Sequence, residues 1–125
     1  MTINMTQKDK ELLIRSISYK ISYGIIVNVG GLFDAKLTSV NWHDEVSVED
    51  SVGLYHISEV KPYLFPLSSM TKEQKQEYQY ITERWMYDSS YSIGDSIDWL
   101  NSHHFDYRGL IEKGLAIDAT GLNIY

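Results

Sequence analysis

Cysteine is missing altogether from the 125 residues. Its absence removes thiol catalysis, iron–sulfur ligation and cysteine zinc sites, and it suits a reducing cytosol. Basic residues are scarce as well: eleven Lys and Arg stand against seventeen Asp and Glu, a net charge of −6. A binder of duplex nucleic acid needs a positive footprint that displaces counterions, and no cluster of Lys or Arg supplies one, so duplex DNA is not an expected partner. No segment approaches the ~20 apolar residues of a membrane span, and the opening residues MTINMTQKDKELL contain no signal-peptide core. These absences predict a soluble, cytoplasmic chain without a membrane partner. The length predicts one domain, 1–125, able to bury a core without disulfides or a structural metal.

Aromatics are plentiful, with ten Tyr and three Trp. Such side chains join apolar area to a polar tip, which suits binding surfaces as well as strand packing. Thr6 followed by Asp9 reads as a helix start, and Leu13, Ile14 and Ile17 share a face, predicting a helix from about Gln7 to Ser16. Tyr19 to Tyr23 reads as an irregular strand entry and Gly24 as a bend, before the β-branched run Ile25 to Val29. Gly30-Gly31 predicts a hairpin turn and Leu32 to Val40 the returning strand, because both turn positions require positive φ. Asn41 to Glu45 is turn-like, Val46 to Glu49 alternates as a third strand, and Leu54 to Ile57 forms a fourth. Glu59 to Pro66 is expected to leave the sheet as an extended segment. The spacing predicts an α+β fold containing a small antiparallel SH3-like β-barrel over about 19–65.

From Ser68 the period changes to 3.6: Thr71 and Gln74 form a capping box, and Tyr78, Ile81 and Trp85 recur on one face. The first turns, Lys72 to Glu77, are polar and expected to project into water. Asp88 to Gly94 reads as a loop, with Asp95 or Ser96 capping a helix that carries Trp99. Asp106 is expected to cap a further short helix, Tyr107 to Lys113, closed by Gly114. Leu115 to Ile117 is then free to add a strand that completes the barrel. The expected layout is an N-terminal helix, the barrel and two or three C-terminal helices.

Two stretches go beyond local structure: KPYLFPLSSMT at Lys61 to Thr71 and DWLNSHHFDYRGLIEKGLAI at Asp98 to Ile117. Together they resemble a family of small uncharacterised proteins encoded by phages and prophages of gut bacteria, with KPYLRPMSSMT-like and DWLNxHHFDYRGLIxKGLA-like segments. The close match covers about a third of the chain, and SYGIIV stands where the family has an LPYGV-like run. Phe65 replaces a common Arg and Leu67 a common Met, which leaves Arg108 as the main remaining cation at the junction. The resemblance implies phage provenance and no reaction, cofactor or catalytic residue.

No residue pattern matches a catalytic or metal signature. Adjacent helical residues such as His103 and His104 point about 100° apart and chelate one ion poorly. Ser68 and Ser69 lack a GxSxG elbow and sit where a helix start uses hydroxyls for capping. Asp106 and Arg108 read either as an internal ion pair or as ligand contacts, and Lys61 and Tyr63 as closing the barrel or reading a ligand. The ligand-binding candidates are therefore Lys61, Tyr63, Trp99, His103, Tyr107 and Arg108, with no catalytic residue, no metal and no cofactor.

The expected function is that of a non-catalytic phage-encoded binding protein that sequesters a small nucleotide-type signal of host antiviral defence, with bases stacked on aromatics and anionic groups met by Lys61, Arg108 and helix starts. The net negative charge opposes an anionic ligand. The alternative is a protein–protein adaptor or inhibitor acting on a host or phage protein; a homo-oligomer is left open. The shape of the junction discriminates: a deep concave pocket lined by Trp99, Tyr107 and Arg108 would favour the small ligand, and a flat apolar patch would favour a protein.

Overall fold

The computed structural model describes residues 5–84, 86–90 and 92–125. Helix α1 (Gln7–Ser18) starts where the sequence places it, with Thr6 Oγ1 accepting from the Asp9 N–H at 3.1 Å. It runs two residues further than expected. Tyr19 to Tyr23 is not a strand entry: Ile21–Tyr23 is a 3₁₀ turn that satisfies its own backbone locally and stops at Gly24, φ +73°. Strands β1 (Ile26–Val29) and β2 (Phe33–Val40) form the expected hairpin. Gly30 and Gly31 both take positive φ, and the Leu32 N–H closes the turn on the Val29 carbonyl at 2.9 Å. Strands β3 (Glu45–Val48) and β4 (Tyr55–His56) follow antiparallel, and a 3₁₀ turn at Ile57–Glu59 leads into β5 (Val60–Pro66).

Here the chain departs from expectation, because Glu59 to Pro66 does not leave the sheet. It forms the most connected strand, antiparallel to β1 and parallel to both β6 (Phe105–Asp106) and β7 (Ile117–Asp118). Proline is rarely tolerated inside a sheet because it cannot donate to a ladder. Pro62 is accommodated because the neighbours of β5 change along its length: residues 60–62 register with β1, 63–64 with β7 and 65–66 with β6. No residue of β5 therefore registers with two ladders at once.

The strand order is β4-β3-β2-β1-β5-β6, with β7 also on β5. The fold is α+β, and the sheet is open and mostly antiparallel rather than a closed barrel, since β4 and β6 remain edges among the described residues. The added strand after Gly114 does form, but it lies at Ile117–Asp118 and runs parallel to β5.

Helix α2 (Lys72–Arg84) opens with the expected reciprocal cap, in which the Thr71 N–H donates to Gln74 Oε1 and the Gln74 N–H to Thr71 Oγ1. It buries no residue fully. Trp85, expected on its inner face, lies outside the described residues. Helix α3 (Ile93–Ser102) begins earlier than expected: Ser92 is its N-cap, and Asp95 accepts from the Ser92 N–H at 2.6 Å.

The expected helix Tyr107 to Lys113 is a run of turns instead. Gly109 at φ +74° breaks the helical path, and the Asp106 carboxylate accepts the Leu110 and Ile111 N–H groups at 2.9 Å each. Its capping role holds, but two residues further on than a helix start would need.

Two apolar clusters divide the molecule. The larger packs Leu13 and Ile17 of α1 on Val27, Val29, Leu37, Val46, Val48, Val60 and Leu64 of the sheet. The smaller gathers Trp99, Leu100 and Phe105, with Phe65, Met70, Tyr78 and Ile81 against them.

Candidate functional site

The stretch from Trp99 to Arg108 folds inward. Trp99 is 7% exposed. Its ring stacks on His103 at 4.2 Å and on Phe105 at 5.7 Å between centroids, with Tyr78 of α2 tilted against it at 5.5 Å. Its indole N–H is buried without a hydrogen-bond partner among the described residues. His103 is held by its own helix, with Nδ1 at 2.9 Å from the Trp99 carbonyl. Trp99 and His103 thus close the smaller core.

His104 turns the other way. It adopts φ +61° directly after α3, which swings the chain into β6, and its ring stacks on Tyr125 at 3.8 Å and 12°. Burial, reinforced by the charges of Lys20 and His103, pushes its imidazole down to about 4. The two imidazoles therefore serve different neighbours. Among the described residues no group of three or more His, Cys, Asp or Glu is placed to hold a metal ion.

Tyr107 and Arg108 converge on a residue that the sequence reading passed over. Lys20 is only 2% exposed, and its ammonium donates to Asn101 Oδ1 at 2.5 Å. It also lies over the Tyr107 ring at 4.6 Å. The Tyr107 hydroxyl donates to the same Asn101 oxygen at 3.0 Å. Arg108 places its guanidinium 5.3 Å from the Tyr107 ring and 5.9 Å from that of Tyr19. Desolvation lowers Lys20 to about 8; the Asp106 charge opposes that shift and Arg108 adds to it.

Asp106 and Arg108 do not form an ion pair within 4 Å, because the carboxylate is spent on backbone N–H groups. Ser16, Lys20, Leu64, Phe105, Asp106, Tyr107, Arg108 and Leu110 close together and leave no space for a water molecule. The junction is a packed polar node. A signal for Lys20 did exist in the sequence: Leu13, Ile17 and Lys20 fall at i, i+4 and i+7, so Lys20 continues the buried face of α1.

Lys61 and Tyr63 lie elsewhere, on β5. Lys61 is half-buried opposite Asn28. Tyr63 is buried, and its hydroxyl donates to Asp34 Oδ1 at 2.6 Å; Asn28 Nδ2 donates to the same oxygen at 2.9 Å. Burial and that hydrogen bond push the Tyr63 hydroxyl above its ordinary value. Ser69, one of the two serines weighed as a nucleophile, donates to the Pro66 carbonyl.

The six sequence candidates therefore divide into an aromatic stack (Trp99, His103), a packed polar node (Tyr107, Arg108) and a strand pair (Lys61, Tyr63). Other features face solvent, among them the apolar side chains Leu32, Trp42 and Val52 and a recess of about 360 Å³ beside Asp34, Lys36 and Glu49. On α3, Ile93 and Ile97 are 63% and 40% exposed, two turns and one turn before the buried Leu100, and Met86 and Tyr87 of the α2–α3 connection are exposed as well. On the outer face of α1, Lys8, Arg15 and Lys113, with Asp9, Glu11 and Leu12, line an open recess of about 360 Å³. No known protein family matches this chain, and no curated protein or solved structure is similar to it.

Proposed function

We propose that this chain is a non-catalytic, phage-encoded binding module that works in the cytoplasm of the infected cell as an adaptor or inhibitor of a host or phage protein. The observation that carries the reading is a contrast on α3. Lys20, Tyr107 and Arg108 beside it pack around a cleft with no room for a ligand and Trp99 is buried in the smaller core, whereas the apolar stripe of Ile93 and Ile97 continues past the edge of the core into water. Exposed apolar groups of this kind lose water on docking and are a common mark of protein contact.

An SH3-like arrangement of the sheet fits the same reading. In its support, β5 pairs with β1 after a 3₁₀ turn that follows β4, and Phe33 of β2 meets Tyr55 of β4 edge-on at 5.9 Å. A photo-crosslinking amino acid at position 97, in cells infected by the phage that encodes the protein, tests the proposal. A discrete protein adduct that disappears with Ile93→Glu supports it; adducts no different from those of a probe at Gln76 overturn it.

A nucleotide-type ligand retains one supporting observation, the recess lined by Lys8, Arg15 and Lys113. Three cations outweigh its two acids, and a phosphate would find several donors there. Calorimetric titration of cyclic and linear nucleotides tests this second reading. Affinity that falls at least about tenfold in Arg15→Ala would transfer the function to this face.

A further inference from the structure

Strands β1 and β5 register from Val29↔Val60 to Val27↔Pro62, and the next pair would be Ile26↔Tyr63. The register ends before it. Between the two strands stands the phenol of Tyr125: the Ile26 N–H donates to its oxygen at 3.0 Å, and its hydroxyl donates to the Tyr63 carbonyl at 2.8 Å. One hydroxyl thus replaces a ladder hydrogen bond by accepting on one side and donating on the other.

The slot has walls as well as a floor. In an extended strand, backbone groups of residues i and i+2 face the same edge. The Tyr63 carbonyl and the Phe65 N–H therefore lie on one edge of β5, and the Phe65 N–H donates to the His104 carbonyl at 2.9 Å. This places the His104 ring flat against Tyr125, with the Phe65 ring 6.0 Å away. The gap belongs to the strands: Ile25 and Val27 fix β1 in the larger core and Leu64 fixes β5 there, while Gly24 at φ +73° turns the chain before Ile25.

The occupant is held lightly. Residues 120–123 are all exposed, and among the described residues every hydrogen bond from 120–125 to the rest of the fold beyond Asp118 and Ala119 runs through the Tyr125 hydroxyl. The Tyr125 residue is itself 42% exposed.

We propose that segment 120–125 is a cis-acting plug, and that a tyrosine presented by a partner protein takes the place of Tyr125 in the slot between β1 and β6. The inference deepens the protein-binding reading and rests on it. Chemistry selects the residue type. The slot offers the Ile26 N–H as donor, the Tyr63 carbonyl as acceptor with the Ile26 carbonyl at 3.5 Å as a weaker second one, and a flat imidazole face, so its ligand must be planar and carry a group that both accepts and donates. Phenol does both; phenylalanine leaves two backbone groups unpaired, and a phosphorylated tyrosine has no proton to give the Tyr63 carbonyl.

The test uses the full chain with Tyr125→Ala and p-cresol as the probe, followed by amide NMR. The proposal expects p-cresol to shift the signals of Ile26, Tyr63, Phe65 and His104 in the variant and not in the wild type. Toluene should bind at least about fivefold more weakly, since a hydrogen bond left unmade costs about 1 kcal/mol or more. N-acetyltyrosinamide, standing for the partner's tyrosine, should reproduce the p-cresol shifts, and its phosphorylated form should not. No shifts, or equal binding of toluene, overturns the proposal.

Should Tyr125→Ala fail to fold, Tyr125→Phe decides: hydrogen exchange at the Ile26 amide should quicken at least about fivefold, and unchanged exchange overturns the insertion. Both measurements read the slot alone, so their failure leaves the crosslinking result at position 97 to stand or fall separately.

Discussion

Lys20 and Asn101, 81 positions apart, share a buried hydrogen bond of 2.5 Å that ties the end of α1 to α3. It joins the larger apolar cluster to the smaller one, because α1 packs in the first and Leu100, beside Asn101, in the second. The ammonium is half-compensated by the Tyr107 ring and the nearby Asp106 charge, and the stem fills space next to Ser16 and Leu64.

Lys20→Ala should therefore cost about 2–4 kcal/mol, from the void left by the stem and the loss of one partner of Asn101. Lys20→Met keeps the volume and removes the burden of burying a charge, and Asn101 retains the Tyr107 hydroxyl. It should cost less than about 1.5 kcal/mol. Urea denaturation of the two variants checks the order, and a methionine variant as unstable as the alanine one would contradict the packing argument.

The pH dependence follows from the same groups. His104 drops from 6.5 to about 4 on folding, so between those values the unfolded chain holds more protons. Stability should fall as pH falls from 6.5 to 4, by up to about 3 kcal/mol. His104→Asn tolerates the left-handed backbone and removes the imidazole, and it should flatten that slope. Lys20 drops from 10.5 to about 8, so stability should rise from pH 8 upward. Tyr63 and Tyr125 are shifted upward from 10, so the folded chain holds their protons longer and stability turns down above about pH 10. Urea titrations at stepped pH would show the rise and the reversal.

Trp99→Ala should cost about 3–5 kcal/mol, since the ring is stacked on His103 and Phe105 and meets a tilted Tyr78 at the centre of the smaller cluster. Trp99→Phe should cost distinctly less, because it also removes an indole N–H buried without a hydrogen-bond partner. Thermal melting of both variants measures the difference.

Asp106 and Arg108 should prove unequal. Asp106→Ala releases two backbone N–H groups at once and should cost about 2 kcal/mol. Arg108→Ala loses contact with two aromatic rings and should cost about 1 kcal/mol or less. Equal losses in denaturant titration would indicate a pair that the geometry does not contain.

What the sequence determined by itself is local. The Thr6 cap, the Gly30-Gly31 turn, the Thr71–Gln74 box and the positive φ at Gly114 were all legible, since each is decided within about five residues by backbone sterics or a side chain reaching its own helix start. The density of aromatic and cationic residues from Trp99 to Arg108 was legible too, but their spacing carries no information on whether a ring faces water or a core.

Tertiary structure alone decided the rest. Pro62 argued against a sheet strand until the change of partners along β5 made its missing N–H harmless. Lys20 sat on a legible apolar face, yet its burial depended on Asn101 and Tyr107 arriving from the other end of the chain. Nothing in the local sequence marks Tyr125, and only the place where the β1–β5 register ends gives its hydroxyl the Ile26 N–H and the Tyr63 carbonyl as partners. In each case the governing free energy is that of pairing a buried polar group with a partner distant in sequence, and only the fold settles which partner comes within reach.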